Sequence, residues 1–403
     1  MVSTCGAEST LENGKSSFDH LSNLKYTTQI FFSSLVLPEE DADSNQLEET
    51  TLPESGDTTT VQWDSALEAI ERCYELGWTD GLPVVPPTEQ RVKEFIERSG
   101  RPSDEVVGEL PERRREITVD KVAANAVMAG CLPEYMPVVL AATEAMLEPI
   151  FNLVGPSSSM GGSAILSIVN GPIAKELNIN SRNNLFGPGN RANATIGRAV
   201  RLILMNACAA IPGVFDRSVI GHPGKYTYCI AEADTETHWT PLHVERGFSP
   251  AESTVTVFAG ESPRQIRAVG HPEPIMMAIA DVASSLGSNM STSGSVGDTG
   301  IGVRQGQIVV TIAGNSNLWK DWTKSQIKEY LFNRTQRSVA DLKAAMVLKG
   351  DLEPSDGQIM IPLIPEPDDI LLIFAGGEES NMSSVIPSWG PKVGSTAVTK
   401  LIK

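Results

Sequence analysis

The chain has 403 residues, 41% of them apolar, and a net charge of −18. No run of eighteen apolar residues is present, which excludes a helical membrane span, and a pI near 4.8 argues against a nucleic-acid surface, which needs clustered Lys and Arg. Single cores stop growing at about 250–300 residues, so two domains are expected.

Met1 to about Thr60 is rich in Ser, Thr, Glu, Asp and Asn, with eleven acids before Gln62 against Lys15 and Lys25. This leader alone carries −9 and reads as a disordered acidic tail over 1–61, broken by the apolar island Tyr26–Leu37. It has neither a basic n-region nor an apolar h-region, and Glu8, Glu12 and Asp19 argue against a transit peptide. Five scattered cysteines with no CxxC favour a reducing compartment over a disulfide or zinc framework, so the expected location is cytoplasmic.

The fold is expected to begin near Trp63. Helical spacing marks Asp64–Leu76, closed by Gly77, and a second helix over about Glu89–Arg98 follows the extended connector Asp80–Thr88. Further helices are expected over Thr118–Met128, Tyr135–Leu147, Ala194–Cys208, Pro274–Leu286, Thr323–Asn333 and Val339–Val347. Four apolar, β-branched runs end in glycine: Ala164–Gly171, Thr254–Gly260, Ile308–Gly314 and Ile370–Gly377. They read as strands buried on both faces, as in a sheet covered by helices, with the glycines marking either ordinary turns or a ligand edge. The fold class is therefore α/β, with two α/β domains of mainly parallel sheets at 62–262 and 263–403. The Gly- and Ser-rich stretch Gly287–Gly306 reads as a lid loop or an insertion.

Three segments carry candidate chemistry. In Phe186–Arg201, Gly187 and Gly189 free the backbone ahead of a helix N-terminus, a geometry suited to an anion, with Arg191, Asn193, Arg198 and Arg201 as binding groups. The alternative is a glycine-led helix start with ordinary salt bridges. In Asn125–Tyr135, Cys131 falls between Gly130 and Pro133, so it is expected on a turn as a nucleophile or redox thiol, with Glu134 as acid or base and Asn125 contacting substrate. The alternative is a small buried hydrophobe. Between Pro212 and Arg246, His222, His243 and Glu245 are candidate acid–base groups, and Lys225 and Arg246 candidate substrate contacts. The bland reading there is a polar loop satisfying its own hydrogen bonds. No metal motif or nucleotide fingerprint is present; no organic cofactor is expected, and a divalent metal stays open.

The blocks Asp80–Thr88, Asn125–Tyr135, Gly187–Arg198, Gly221–Tyr226 and Pro241–Phe248 together resemble an uncharacterised family of bacteria and fungi, over about 62–403. Its bacterial members resemble the larger companion of small (seleno)proteins bearing a U/C-Gly-Ser-Cys motif. That resemblance implies thiol or selenol redox chemistry with a small partner protein. The chain departs from the pattern in its leader, in Asn206–Ala210 where a Gly-Gly pair is expected, and in lacking the U/C-Gly-Ser-Cys motif itself. The resulting expectation is an enzyme acting on a small anionic substrate, first as a thiol-dependent oxidoreductase, with a homo-oligomeric state. The alternatives are a carbon–heteroatom lyase and a non-catalytic ligand-binding subunit of a redox pair.

Overall fold

A computed structural model gives the structure, describing 66–268, 270–288, 305–377 and 381–403 in full and 26–30 and 59–63 as backbone. Most of the expected leader, and 289–304 of the expected lid loop, lie outside the described residues. Within the leader, β1 (Tyr26–Ile30) pairs antiparallel with β2 (Thr59–Trp63), so part of the apolar island is strand.

The helices are α1 (Ala66–Glu75), α2 (Glu89–Ser99), α3 (Val119–Ala129), α4 (Met136–Met146), α5 (Val154–Ser158), α6 (Pro172–Glu176), α7 (Arg191–Asn206), α8 (Leu242–Glu245), α9 (Pro272–Ala283), α10 (Lys324–Arg334) and α11 (Val339–Ala344). Their starts follow local chemistry. Thr88 and Asn190 cap α2 and α7 with side-chain oxygens, and Thr323 with Gln326 forms a capping box on α10. A small hairpin, β3 (Val106–Leu110) with β4 (Arg115–Thr118), leads into α3.

Two four-stranded sheets form the centre. The first contains β5 (Ala164–Asn170), β6 (Cys229–Ala231) and β7 (Thr254–Gly260); the second contains β8 (Arg264–Arg267) and β9 (Ile308–Ala313). A two-stranded ribbon, β10 (Gln336–Ser338) with β11 (Met360–Pro362), precedes β12 (Ile370–Ala375) and β13 (Met382–Pro387) of the second sheet, and β14 (Val398–Leu401) returns to the first. The orders are β14-β7-β5-β6 and β12-β9-β13-β8. Each sheet holds one parallel pair, β5 with β6 and β12 with β9, while the other pairings are antiparallel. The expectation of mainly parallel sheets is thus corrected to mixed sheets. The boundary expected near Ser262 falls between β7 and β8, but β14 crosses back over it to pair with β7.

The all-buried strands have a different cause from the one expected. Ile165 and Val169 of β5 with Val255, Val257 and Ala259 of β7 pack into the core built with α3, α4 and α7. On the second sheet, Val310 and Ile312 of β9 with Leu372 and Phe374 of β12 join the core containing α9 and α10. The alternate residues Leu166, Ile168, Phe258, Val309, Leu371, Ile373 and Ile386 meet in a third core, between the sheets. The order of layers is helix, sheet, sheet, helix, so β5, β7, β9 and β12 are covered by helices on one face and by the other sheet on the second. Among the described residues no helix is long and apolar enough to cross a membrane.

Candidate ligand-binding site

The inner face of the second sheet changes chemistry along its strands. On β9, Val309 belongs to the core between the sheets, and two residues on is Thr311; on β13, Ile386 is in that core, and two residues back is Ser384. Period-two alternation keeps each pair on one face. Thr311 and Ser384 are register partners and share a hydrogen bond of 2.7 Å between their hydroxyls, and Gln265 lies opposite Ser384 on β8. These groups line a cleft of about 420 Å³ whose other wall is the loop 182–187. That volume is within the range of about 300–1,000 Å³ usual for small-molecule sites.

The loop is held from several sides. Asn193 on α7 accepts from the backbone N–H of Asn180 (2.7 Å) and donates to the carbonyls of Asn180 and Cys229 (3.0 Å each). Gly376 N–H, just past β12, donates to Ser181 O at 2.9 Å. The strand end must be glycine for this closeness: a Cβ on Gly377 would stand 2.1 Å from Asn183 Oδ1, and φ there is +125°. Arg182 is a half-exposed lining residue whose Nη1 donates to Glu236 Oε1 at 2.7 Å, fixing the guanidinium at the rim. Apolar contact comes from Leu185, Phe186, Pro263 and Met382, and the Phe186 ring is backed by Tyr228. No Cys, His, Lys, Asp or Glu occurs among the described lining residues.

Of the residues expected in a site, Gly187 lines this cleft and Asn193 positions its wall. Gly189, at φ +120°, shapes the approach to the Asn190 cap. The arginine forks do grip acceptors, but these are the protein's own. Arg198 binds Asp80 through two bonds, 2.9 and 2.8 Å, and reaches the carbonyls of Leu82 and Pro83, pinning the Asp80–Thr88 connector to α7. Arg191 spends Nε and Nη2 on Gly130 O, closing the C-terminus of α3. Arg198 thus forms an internal ion pair with Asp80, and Arg191 a cap on a helix carbonyl.

Cys131 is buried in the helix-side core, not displayed on a turn. Gly130, at φ +86°, ends α3, and the Cys131 N–H still donates back to Ala126 O, which draws the side chain inward. Burial pushes its thiol up to about 12, against smaller lowering from a Thr195 hydrogen bond and the Arg191 charge. Glu134 is exposed in the turn Pro133–Tyr135 ahead of α4. Asn125 is fully buried and structural: it donates to Lys121 O and accepts from Asn206 Nδ2, joining α3 to α7.

The candidates between Pro212 and Arg246 separate into two groups. Lys225 binds Asp216 and Ser218, and Arg201 binds the same carboxylate. Burial raises Asp216, but hydrogen bonds from Lys225 and Ser218 outweigh it and hold the carboxyl below its ordinary range. His222 accepts from Gly224 N–H at Nδ1, so its Nε2 is the donor to Gly260 O, and burial lowers it. The second group surrounds α8. Glu245 pairs with Lys324 and Lys328 of α10, and Arg246 donates to Thr399 Oγ1 and Ala397 O. His243 is 1% exposed with neither ring nitrogen hydrogen-bonded. Neither group lines the cleft, so the structure does not bring Cys131, Glu134, His222, His243 and Glu245 into one site.

Sequence reasoning missed Arg182, Gln265, Thr311 and Ser384. Two signals were available: the amide-rich run Asn178–Asn184, and hydroxyls interrupting strands otherwise made of branched aliphatics. Among the described residues no group of three His, Cys, Asp or Glu side chains is arranged to hold a metal. No protein-family model matches the chain, and no curated protein matches it.

Proposed function

We propose that this protein binds a small anionic molecule in the cleft beneath the loop 182–187, as the ligand-binding member of a small-molecule pathway. The observation that carries this reading is the switch of the second sheet's inner face from Val309 and Ile386 to Thr311 and Ser384, exactly where the loop closes over it. Hydroxyls and amides there orient a ligand, Phe186 and Leu185 give it apolar contact, and Arg182, the one cation among the described lining residues, takes its negative group. Binding without chemistry on a thiol is favoured over the oxidoreductase and lyase readings. Cys131 is enclosed elsewhere with its thiol at about 12, and the described lining offers hydroxyls and amides in place of an acid–base pair. A subunit that presents ligand to a small thiol or selenol partner fits this reading.

The test is a thermal-shift screen of small mono- and dicarboxylates and phosphates against the wild type and Arg182→Ala. Compounds that raise the wild-type Tm and lose that effect in the variant support the cleft. Compounds that stabilise both proteins equally place binding elsewhere.

A further inference from the structure

The cleft beneath the loop 182–187 has one cation among its described lining residues, and that cation is already shared. Arg182 Nη1 donates to Glu236 Oε1 at 2.7 Å, and Glu236 Oε2 lies against the strand end, where a Cβ on Gly376 would stand 2.5 Å from it. The Nε–Nη2 edge of the guanidinium makes no hydrogen bond among the described residues. That edge can hold one carboxylate through two parallel bonds. A second negative group would find no further cation in the described lining and would be repelled by Glu236, so the site favours a single charge.

The floor offers hydrogen bonds in place of charge. Thr311 and Ser384 are 4% and 6% exposed, and each hydroxyl has the other, at 2.7 Å, as its partner among the described residues. Two hydroxyls bonded to each other use one proton between them, so a second O–H donor and several lone pairs are left in a buried position. An unmet buried donor is costly, and an acceptor in the cleft relieves it. The Gln265 and Asn184 amides add donor and acceptor on one side chain. Alcohols, which donate and accept from one atom, match this lining better than ethers or a second carboxylate, which only accept. Phe186 is 38% exposed, with its ring backed by Tyr228 at 5.9 Å between centroids and with Pro263 and Met382 also in the lining, which gives C–H groups an apolar surface. One water takes about 10–15 Å³ of such a cavity, so a lone carboxylate leaves most of the 420 Å³ free.

Resting on the reading of the cleft as an anion site, we infer that its ligand is a polyhydroxylated monocarboxylate, an acid of the sugar class. Its carboxylate lies on the Nε–Nη2 edge of Arg182. Its hydroxyls exchange hydrogen bonds with Thr311, Ser384 and the Gln265 and Asn184 amides, and its C–H face packs on Phe186.

The test is calorimetric titration of the full chain with three sugar acids, D-glucuronate, D-galacturonate and D-gluconate. Three controls separate the features: D-glucose has hydroxyls without the charge, hexanoate the charge without hydroxyls, and D-glucarate a second carboxylate. At least one sugar acid should bind about tenfold or more tightly than glucose and hexanoate, and glucarate should gain nothing over gluconate. Thr311→Val with Ser384→Ala removes both hydroxyls together, so neither is stranded, and should weaken that acid about tenfold. If the double variant does not fold, Gln265→Leu at its exposed position takes its place. An unchanged affinity in the folded variant overturns the inference. Hexanoate binding as tightly as the sugar acids, with both lost in Arg182→Ala, also overturns it and leaves the anion cleft standing. Glucose matching the acids, or glucarate surpassing gluconate about tenfold, overturns it likewise. A sugar acid that binds Arg182→Ala as well as the wild type overturns both readings, and no binding by any sugar acid overturns this one.

Discussion

Glu232 offers the sharpest test of how the two halves are joined. Its side chain is 0% exposed and accepts from Asn170 Nδ2 (2.6 Å), Leu242 N (2.8 Å), Lys324 Nζ (3.0 Å) and Phe374 N (3.4 Å). One carboxylate thereby links β5 and α8 to α10 and β12 of the second sheet. Glu232→Ala would leave Lys324, itself 4% exposed, with Glu245 at 3.3 Å as its remaining carboxylate, and would strand the donors of Asn170 and Leu242. Breaking a buried pair from one side costs about 3–5 kcal/mol, and each stranded donor about 1–3 more when no water reaches it. These terms overlap, so a loss of about 4–6 kcal/mol is expected. Urea unfolding gives the value through the midpoint at unchanged slope. Glu232→Leu with Lys324→Met removes both charges and should recover at least half of the single-variant loss. A single-variant loss below about 1 kcal/mol, or a double variant no better than the single, would refute the pin.

Four further outcomes are expected. Cys131, with its thiol pushed up to about 12, should resist iodoacetamide at pH 8 in the folded protein and react after unfolding; rapid native labelling would restore the thiol reading. Asn193→Ala should cost about 1–3 kcal/mol and also weaken cleft ligands, because the loop's backbone anchor is lost; calorimetric titration checks the second effect. Arg198→Ala should destabilise by about 3–5 kcal/mol through the orphaned Asp80 yet leave ligand affinity unchanged, measured at a temperature where the variant is folded. His222 and Asp216 are both held below their ordinary values, so the unfolded chain binds more protons. Their contribution to stability is present above those values and is lost as pH falls, first below about 6.5 and then below about 3.9. His222→Gln should flatten the pH 5–7 part of the stability profile, and an unchanged slope would count against a buried neutral imidazole.

Much of the fold was legible where local chemistry decides it. The glycine-ended runs at Ala164, Thr254, Ile308 and Ile370 are β5, β7, β9 and β12, and the helix expected over Thr323–Asn333 is α10. Strand direction was not legible, because a strand buried by helices and one buried by a second sheet carry the same branched side chains. β8, β13 and β14 were missed: Arg264–Arg267 and Met382–Pro387 are mixed in polarity because one end of each reaches the cleft or solvent. At the candidate site, long-range partners were the part that local pattern does not carry. Arg198 is a bidentate carboxylate binder, but Asp80 lies 118 positions away in the chain, and no local pattern pairs them. Cys131 shows the same limit, since a Gly-Cys-Leu-Pro turn can point its thiol inward or outward and tertiary packing chooses.

The most direct measurement of the central claim is a crystal structure of the protein soaked with the strongest stabilising anion from the screen. The account predicts density in the cleft, with the ligand's negative group on Arg182 and its polar arm on Thr311, Ser384 or Gln265. Density at Arg191 and Cys131, with the cleft empty, would contradict it.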